Sequence, residues 1–510
     1  MLFSSLTFVW FFLPALALIY YISPGRKLKN GVLLMASLVF YSWGEPRYVV
    51  LVVLSILLNY GFGLALDGCG ERKGLKKAVF ILSILVNLGL LGYFKYFNFF
   101  LELAMSLLGR QGFAPRDIAL PIGISFYTFQ SISYLADTFR GENPAQRNVF
   151  RLALYISLFP QILSGPIVKY HELEPQIGNR QESLSMHAYG IKRFVYGLVK
   201  KMVFANMFGQ VVDRMFDLPL EQLGTVTVWL AVILYSFQIY YDFSGYSDMA
   251  IGLGRMFGFT YKENFNYPYL SASVSEFWRR WHISLSTWFR QYLYIPLGGN
   301  RKGLARTCVN LFLVFLATGL WHGASMNFIC WGVYYGILIV AERLWIGRIL
   351  EKNPLKFLNH LYTLGAVAVG WLLFRVDTLH NGKILLKAML IPSKGLWNPR
   401  IFADNRILFL LVLAVVFCGP IQQLMPRLKA RLFDEENVTA ADVAVMAALL
   451  LLGTLLMVSS TYDEEDYDCG VLGPASDTQP AVSFCEGRQP DRHRGKQEPG
   501  RVSRVFTGYI

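Results

Sequence analysis

The sequence predicts an all-α polytopic membrane protein, and three observations support this fold class. Hydrophobic residues make up 54% of the 510 residues, and the mean hydropathy is +0.39. Charged residues make up only 16%, whereas soluble domains carry about 25%. Apolar stretches long enough to cross a hydrocarbon core of roughly 30 Å recur along the chain. Because backbone polar groups in lipid must be satisfied within the spanning segment, these stretches are predicted to be helices.

The apolar stretches define the predicted elements in chain order. The stretches that are apolar throughout are predicted membrane spans: Leu2–Ile22, Tyr48–Leu66, Ala78–Tyr93, Val226–Tyr241, Leu304–Leu320, Phe328–Leu344, Leu361–Phe374, Ile407–Phe417 with its flanks, and Val443–Val458. More polar stretches are predicted to cross the membrane or to enter it partway: Gly31–Trp43, Leu120–Leu135, Val149–Leu163 and Phe194–Val212. We expect about eleven to thirteen transmembrane or re-entrant helices in all. Leu2–Ile22 lacks a preceding basic segment, so we interpret it as a retained helix rather than a signal peptide.

The basic loops indicate how the chain is oriented. The net charge is +14, and the loops Pro24–Asn30 and Asp67–Ala78 are rich in lysine and arginine. They flank a pair of predicted spans, so the positive-inside rule places both loops in the cytoplasm and the N-terminus outside. We expect a multi-pass protein of the cytoplasmic (inner) membrane with lipids as its neighbours. Nucleic acid is not an expected partner, because the basic residues lie in loops between spans.

Three segments interrupt the apolar pattern. FPQILSGPIV (Phe159–Val168) contains two prolines and a glycine, and such irregular backbone is tolerated at membrane depth only where it is buried in protein or lines a cavity. DFSGYSD (Asp242–Asp248) places charge and glycine between two apolar runs. The aromatic, basic region Asn264–Asn300 is too polar to span simply, so we expect amphipathic or re-entrant helices there.

The chain is predicted to divide into a membrane domain, residues 1–462, and a tail, residues 463–510. The tail is polar and lacks apolar periodicity, which is typical of disorder. A frameshift after Tyr462 or a regulatory extension would each account for it. The six cysteines form no CxxC pair or Cys/His cluster, so neither a disulfide framework nor a metal site is predicted. GxSxG, HExxH and P-loop motifs are absent from the sequence.

His322 is the first candidate for a catalytic residue. It lies in the otherwise almost wholly apolar stretch Asn310–Tyr335, and an ionisable group at membrane depth is costly unless it is paired, faces a wet cavity or does chemistry. The alternative is a histidine that only packs against a carbonyl. Because a neutral imidazole can take a proton from a hydroxyl that attacks a thioester, we predict an acyl- or proton-transfer site.

His282 is the second candidate, and it lies among cationic and aromatic residues in Phe277–Gly299. Glu276 and Arg280 are four residues apart and can pair on one helix face. The excess of basic charge would suit an anionic donor such as a coenzyme A thioester, with Arg279 and Arg280 as candidate ligands. An interfacial helix with snorkelling arginines would look the same and would not require His282.

Asp242 and Asp248 have two possible roles. Either could orient an imidazole, but capping the following helix is favoured for at least one of them. Four other histidines lie in polar loops or near span ends and are assigned no role: His171, His187, His360 and His380.

Six segments together resemble the membrane-bound O-acyltransferase family, and within it the branch that contains the membrane subunit of bacterial alginate O-acetylation. The segments occur in family order: YSWGEPRY (Tyr41–Tyr48), LPIGISFYTFQSISYLAD (Leu120–Asp137), FPQILSGPIV (Phe159–Val168), YYDFSGYSDMAIGLGRMFGF (Tyr240–Phe259), NFNYPYLSASVSEFWRRWHISLSTWFRQYLYIPLGGNR (Asn264–Arg301) and TGLWHGASMNFICWG (Thr318–Gly332).

The resemblance implies a ring of transmembrane helices around a central funnel, with the family's two histidines at His322 and His282. It implies transfer of an acetyl group from a cytoplasmic donor, acetyl-coenzyme A, toward a hydroxyl of an exported polysaccharide such as alginate. His322 would be the base or acyl relay, and His282 would assist. A separate extracytoplasmic acetyltransferase would finish the transfer. No tightly bound cofactor and no metal are expected.

Other functions stay open at this stage. Peptidoglycan O-acetylation and teichoic acid D-alanylation are alternatives within the same chemistry. A transporter or flippase with a proton-relay histidine pair belongs to a different class. Transporters usually contain internal repeats, and the sequence has none.

Overall fold

The computed structural model describes residues 1–109, 116, 118–427, 430 and 439–463, and the regular elements in this part of the chain are helices. In order they are α1 Phe8–Ile22, α2 Gly25–Gly44, α3 Pro46–Gly68, α4 Lys73–Leu107, α5 Ile124–Arg140, α6 Val149–Ser157, α7 Phe159–Ile162, α8 Tyr170–Gly178, α9 Leu184–Val199, α10 Asn206–Phe216, α11 Thr225–Met256, α12 Val274–Arg280, α13 Ile283–Phe289, α14 Leu304–His322, α15 Met326–Lys352, α16 Lys356–Arg375, α17 Leu379–Leu390, α18 Asn405–Phe417, α19 Pro420–Leu424 and α20 Ala440–Asp463. The predicted tail lies outside the described residues, apart from Asp463.

Seven of the described helices are long and apolar enough to cross a membrane: α3, α4, α11, α14, α15, α16 and α20. Two shorter apolar helices, α1 and α18, also coincide with predicted spans. The remaining predicted spans fall on helices that are shorter or more polar. The prediction of an all-α polytopic membrane protein is therefore confirmed.

The structure confirms two of the predicted interruptions and corrects the third. The segment Phe159–Val168 contains only the short helix α7 and then leaves helical geometry, and the region Asn264–Asn300 forms the short helices α12 and α13. In contrast, α11 runs without a break through Asp242–Asp248. The predicted helix start at this segment is therefore wrong.

Close glycine contacts hold the helices that carry the site. In α14, a Cβ on Gly319 would meet the backbone of α15 at the Phe328 carbonyl and, 3.0 Å away, the Gly332 Cα. Small residues at such crossings let two helix backbones approach closely in a membrane. His322 lies one turn beyond this crossing and is the last residue of α14, so the crossing fixes its height in the bundle.

Aromatic residues fill the space around the last turn of α14. Trp288 stacks on Phe129 with ring centroids 3.7 Å apart, and Trp321 lies 5.5 Å from the same phenyl ring. On the other side, Trp331 and Trp371 belong to a large buried cluster. This packing holds the predicted site between two apolar regions of the core.

Candidate active site

His322 is buried at the end of α14, with 8% of its surface exposed. Its ring centroid lies 5.0 Å from that of Trp321, 5.2 Å from Trp331 and 5.1 Å from Phe374. Nδ1 is buried without a hydrogen-bond partner among the described residues. A neutral imidazole with a free nitrogen can exchange a proton with a ligand, but this role of His322 stays a prediction.

Three cavities are lined by His322 or by its neighbour Trp321. The first has a volume of about 1170 Å³ and is lined by Trp321 together with Arg140, Lys169 and Arg290. The second, of about 600 Å³, and the third, of about 320 Å³, are both lined by His322. Trp321 belongs to the walls of both the first cavity and the second cavity, which His322 also lines.

His282 is also buried, with 1% exposure, and its backbone is left-handed at φ 44° and ψ 55°. This region is sparsely populated by residues other than glycine and costs on the order of 1–3 kcal/mol. The conformation ends α12 and starts α13, so the turn between the two short helices presents the imidazole to the interior. Strain of this kind is concentrated at functional sites.

Asn264 determines which nitrogen of His282 carries the proton. The Asn264 Oδ1 accepts from the Ser284 backbone N–H at 3.1 Å and lies 3.2 Å from His282 Nδ1. Because an amide oxygen can only accept, Nδ1 is the donor. Nε2 is then the basic nitrogen, and it is buried without a partner among the described residues. Burial lowers the pKa of His282 well below its usual range, and the nearby His322 lowers it further.

The structure brings the two predicted histidines to the same indole. The Trp321 ring centroid lies 5.0 Å from that of His322 and 6.2 Å from that of His282. Phe243 packs edge-on against His282 with centroids 4.6 Å apart. The residues predicted from two distant segments therefore form one site, while their catalytic roles stay predictions.

The predicted arginine ligands lie elsewhere. Arg280 pairs with Glu276 at 2.7 Å, which confirms the predicted helix pair, and Arg279 is exposed. Neither arginine lines any of the three cavities. Their role in donor binding stays a prediction, although other cations are better placed at the first cavity. Those cations are scattered through the chain, so no local pattern could have singled them out.

The predicted capping role of Asp242 and Asp248 is wrong. Both lie inside α11, whose backbone N–H groups are already bonded within the helix. Asp242 instead pairs with Lys201 at 2.7 Å, and Asp248 pairs with Lys200 and Arg193, both at 2.6 Å. Neither bonds a histidine, so the alternative role in orienting an imidazole has no support in these contacts.

Two further residues of the site were missed by sequence reasoning. Glu342, in α15, accepts hydrogen bonds from the backbone N–H groups of Val274 at 2.7 Å and Ser275 at 2.8 Å, and so holds the start of α12. Lys95, in α4, lines the second and third cavities with His322. A lysine inside an apolar run was a usable signal, but the predicted span ended just before it.

Two other described histidines, His171 and His187, line none of the three cavities. His171 Nδ1 is 2.8 Å from Asp137 Oδ2, and this hydrogen bond raises the pKa of His171. Asp137, Glu142 and His171 also place ligand atoms within 4.8 Å of one another. His187 contacts the Tyr21 hydroxyl at 2.8 Å.

The long apolar helices and the buried histidines within their bundle define an integral membrane protein that holds ionisable groups away from bulk water. Residues 131–379 match the model of MBOAT, the membrane-bound O-acyltransferase family. The chain belongs to the membrane-bound O-acyltransferase family and is an acyltransferase.

Curated relatives of three kinds were found. The probable alginate O-acetylase AlgI of Pseudomonas putida is 44% identical over 403 residues, which cover 78% of this chain and 81% of the relative. The peptidoglycan O-acetyltransferase of Helicobacter pylori is 36% identical over 423 residues, covering 76% of this chain and 80% of the relative. The teichoic acid D-alanyltransferase of Bacillus subtilis is 29% identical over 240 residues, covering 44% and 60%.

Proposed function

We propose that the protein transfers an acetyl group from acetyl-coenzyme A across the cytoplasmic membrane for O-acetylation of an exported polysaccharide, alginate or a similar polymer. The observation that carries this proposal is the position of His322, which lines two cavities next to Trp321, a residue that also lines a third. The likeness to alginate O-acetylases over most of both chains supports the choice of acetyl group and polymer.

His322 acts as the base in this proposal. A hydroxyl oxygen attacks the carbonyl carbon of the thioester, and its proton passes to the neutral imidazole. The carbon–sulfur bond then breaks, and the leaving thiolate takes the proton from the imidazolium, so an ester and a thiol result. Such positioned proton transfer contributes about 10²–10⁴-fold to a rate. His282, which packs near the same Trp321 indole, assists through its unpaired Nε2.

The charges at the first cavity suit the cytoplasmic donor. Arg140, Lys169 and Arg290 line it together with one acidic residue, Glu142, which pairs with Arg140 at 3.8 Å. The wall thus has an excess of cations, and cations readily bind phosphate groups. The positive-inside orientation puts this cavity toward the cytoplasm and the second cavity, which Met1 lines, toward the outside. An extracytoplasmic acetyltransferase that passes the group on to the polymer would meet the protein on that outer face.

Peptidoglycan O-acetylation is the second candidate, because the Helicobacter pylori relative is 36% identical over 76% of this chain. Teichoic acid D-alanylation has less support, since that relative matches only 44% of the chain. The two acetylation functions differ in the polymer that gains the ester, so one experiment separates them.

The test is the acetyl-ester content of exopolysaccharide and of peptidoglycan in a deletion strain. Complementation by wild type should restore esters on the exopolysaccharide, whereas His322→Ala should not, at equal membrane levels. His380→Ala is the matched control, because His380 is exposed and lines none of the cavities. Restoration by His322→Ala would contradict the role of the histidine, and esters appearing only on peptidoglycan would replace the proposed acceptor.

A further inference from the structure

Lys95 is a cation beside the site, and it has no role in the proposed reaction as described above. It lies in the π-helical turn Gly92–Tyr96 within α4. Its Nζ donates to the backbone carbonyl of Trp321, the residue before His322, and lies 3.2 Å from Ser125 Oγ. These bonds tie the ammonium to the end of α14, so the cation and the imidazole are held in a fixed relation.

No described carboxylate forms an ion pair with Lys95. Asp242, the acidic residue that lines the second and the third cavity with Lys95, is paired with Lys201 at 2.7 Å. A charged side chain at membrane depth is costly and is usually paired or functional. Simple anchoring of α14 would need only a hydrogen-bond donor, which a neutral side chain provides at lower cost.

Lys95 has one N–H donor that could bind a ligand. An ammonium has three N–H donors, and the described residues accept two of them, at Trp321 and Ser125. Lys95 lines the second and the third cavity, and so does His322. A group held in front of the imidazole would therefore have the remaining donor within the same space.

We propose that Lys95 binds the carbonyl oxygen of the acyl group that is transferred at His322 and stabilises the negative charge that develops on it. This inference rests on the proposed acyl transfer. As the hydroxyl oxygen bonds to the carbonyl carbon, the π electron pair moves onto the carbonyl oxygen, which becomes an oxyanion beside the ammonium. When the pair returns, the carbon–sulfur bond breaks. A fixed cation aimed at such an oxygen lowers the barrier without reorganisation.

The first test uses Lys95→Gln, which removes the ammonium donor with its charge and leaves a shorter, neutral amide. Losing one oxyanion donor costs on the order of 10²–10³-fold in kcat, so we expect a loss of that size in membrane vesicles supplied with acetyl-coenzyme A. KM should change little, because the charge develops only in the transition state. A kcat within threefold of wild type, or a defect confined to KM, would contradict the proposal.

The second test adds a charge to a folded protein. Lys95→Cys is prepared in a chain without the six native cysteines, once that chain is shown to be active. One half is treated with 2-aminoethyl methanethiosulfonate, which adds an ammonium, and the other with the neutral methyl methanethiosulfonate. Only the ammonium adduct should regain activity. Equal activity of the two adducts would overturn the proposal, and so would failure of the ammonium adduct to regain any.

Failure of the proposed function would look different. If the wild type transfers nothing from acetyl-coenzyme A, then the donor is wrong, and the Lys95 variants are compared by acetyl esters formed in cells. If Lys95→Cys fails to accumulate in membranes, Lys95→Gln decides by its kcat. A wild-type rate with Lys95→Gln would then leave the acyl transfer standing and remove Lys95 from it.

Discussion

At the scale of single residues, the two histidines of the site differ in the hydrogen bonds that their imidazoles make. His282 has its Nδ1 committed to Asn264 and its backbone held in a left-handed turn, so its Nε2 has a fixed direction. His322 has no such tether among the described residues and lines the cavities. In the proposed reaction, this contrast suits His322 as the acceptor of the hydroxyl proton and His282 as a partner with a fixed tautomer.

Removing the amide of Asn264 tests the fixed tautomer of His282. In Asn264→Ala the Nδ1–H loses its acceptor, and an unsatisfied buried group costs about 1–3 kcal/mol. We expect kcat/KM to fall on the order of tenfold, measured as initial rates of ester formation. Asn359→Ala is the control: Asn359 is equally buried and donates to the Leu350 carbonyl at 2.8 Å, but it lines no cavity. An equal fall in kcat/KM in both variants would show that Asn264 has only a structural role.

At the scale of helices, the sequence predicted positions well and interruptions unevenly. The apolar runs predicted the long helices because hydropathy is a local property. DFSGYSD was misread because its glycine and its charges have partners far along the chain. Gly245 packs against the backbone of Gly197, and Asp248 pairs with Arg193. A residue that looks like a helix break in the sequence can therefore be a contact between two helices.

The candidate site was predictable to a similar extent and for the same reason. His322 stood out because its surroundings in the chain are apolar. Lys95 was missed because the predicted span ended at Tyr93, although the described helix continues to Leu107. Asn264 and Glu342 act on His282 and on α12 through contacts that no spacing in the sequence reveals.

The α14–α15 crossing provides a prediction at this scale. Gly319→Leu forces a side chain against the Phe328 carbonyl, and such overpacking costs typically about 1–3 kcal/mol. We expect a lower midpoint of thermal unfolding in detergent and a loss of activity, because His322 is displaced. Gly365→Leu, in α16, has nothing within 4 Å of its Cβ and should unfold like wild type. Wild-type stability and activity of Gly319→Leu would contradict the close crossing.

At the scale of the whole molecule, the cavities are assembled from segments that are distant in the chain. The wall of the first cavity combines α4, α5 and α13, and that of the second includes Met1, Lys95, Asp242 and His322. The family resemblance implied one central funnel, whereas the structure has three cavities at Trp321 and His322. The proposed transfer across the membrane requires that these cavities give His322 access to both sides.

Acetyl transfer in sealed vesicles of known orientation most directly tests whether the protein moves the acetyl group across the membrane through His322. Inverted vesicles expose the cytoplasmic face, and right-side-out vesicles enclose it. With radiolabelled acetyl-coenzyme A added outside, labelled esters should form in inverted vesicles, with the label in their lumen, and His322→Ala vesicles should form none. Labelling only in right-side-out vesicles, or equal labelling with His322→Ala, would contradict transfer across the membrane through His322.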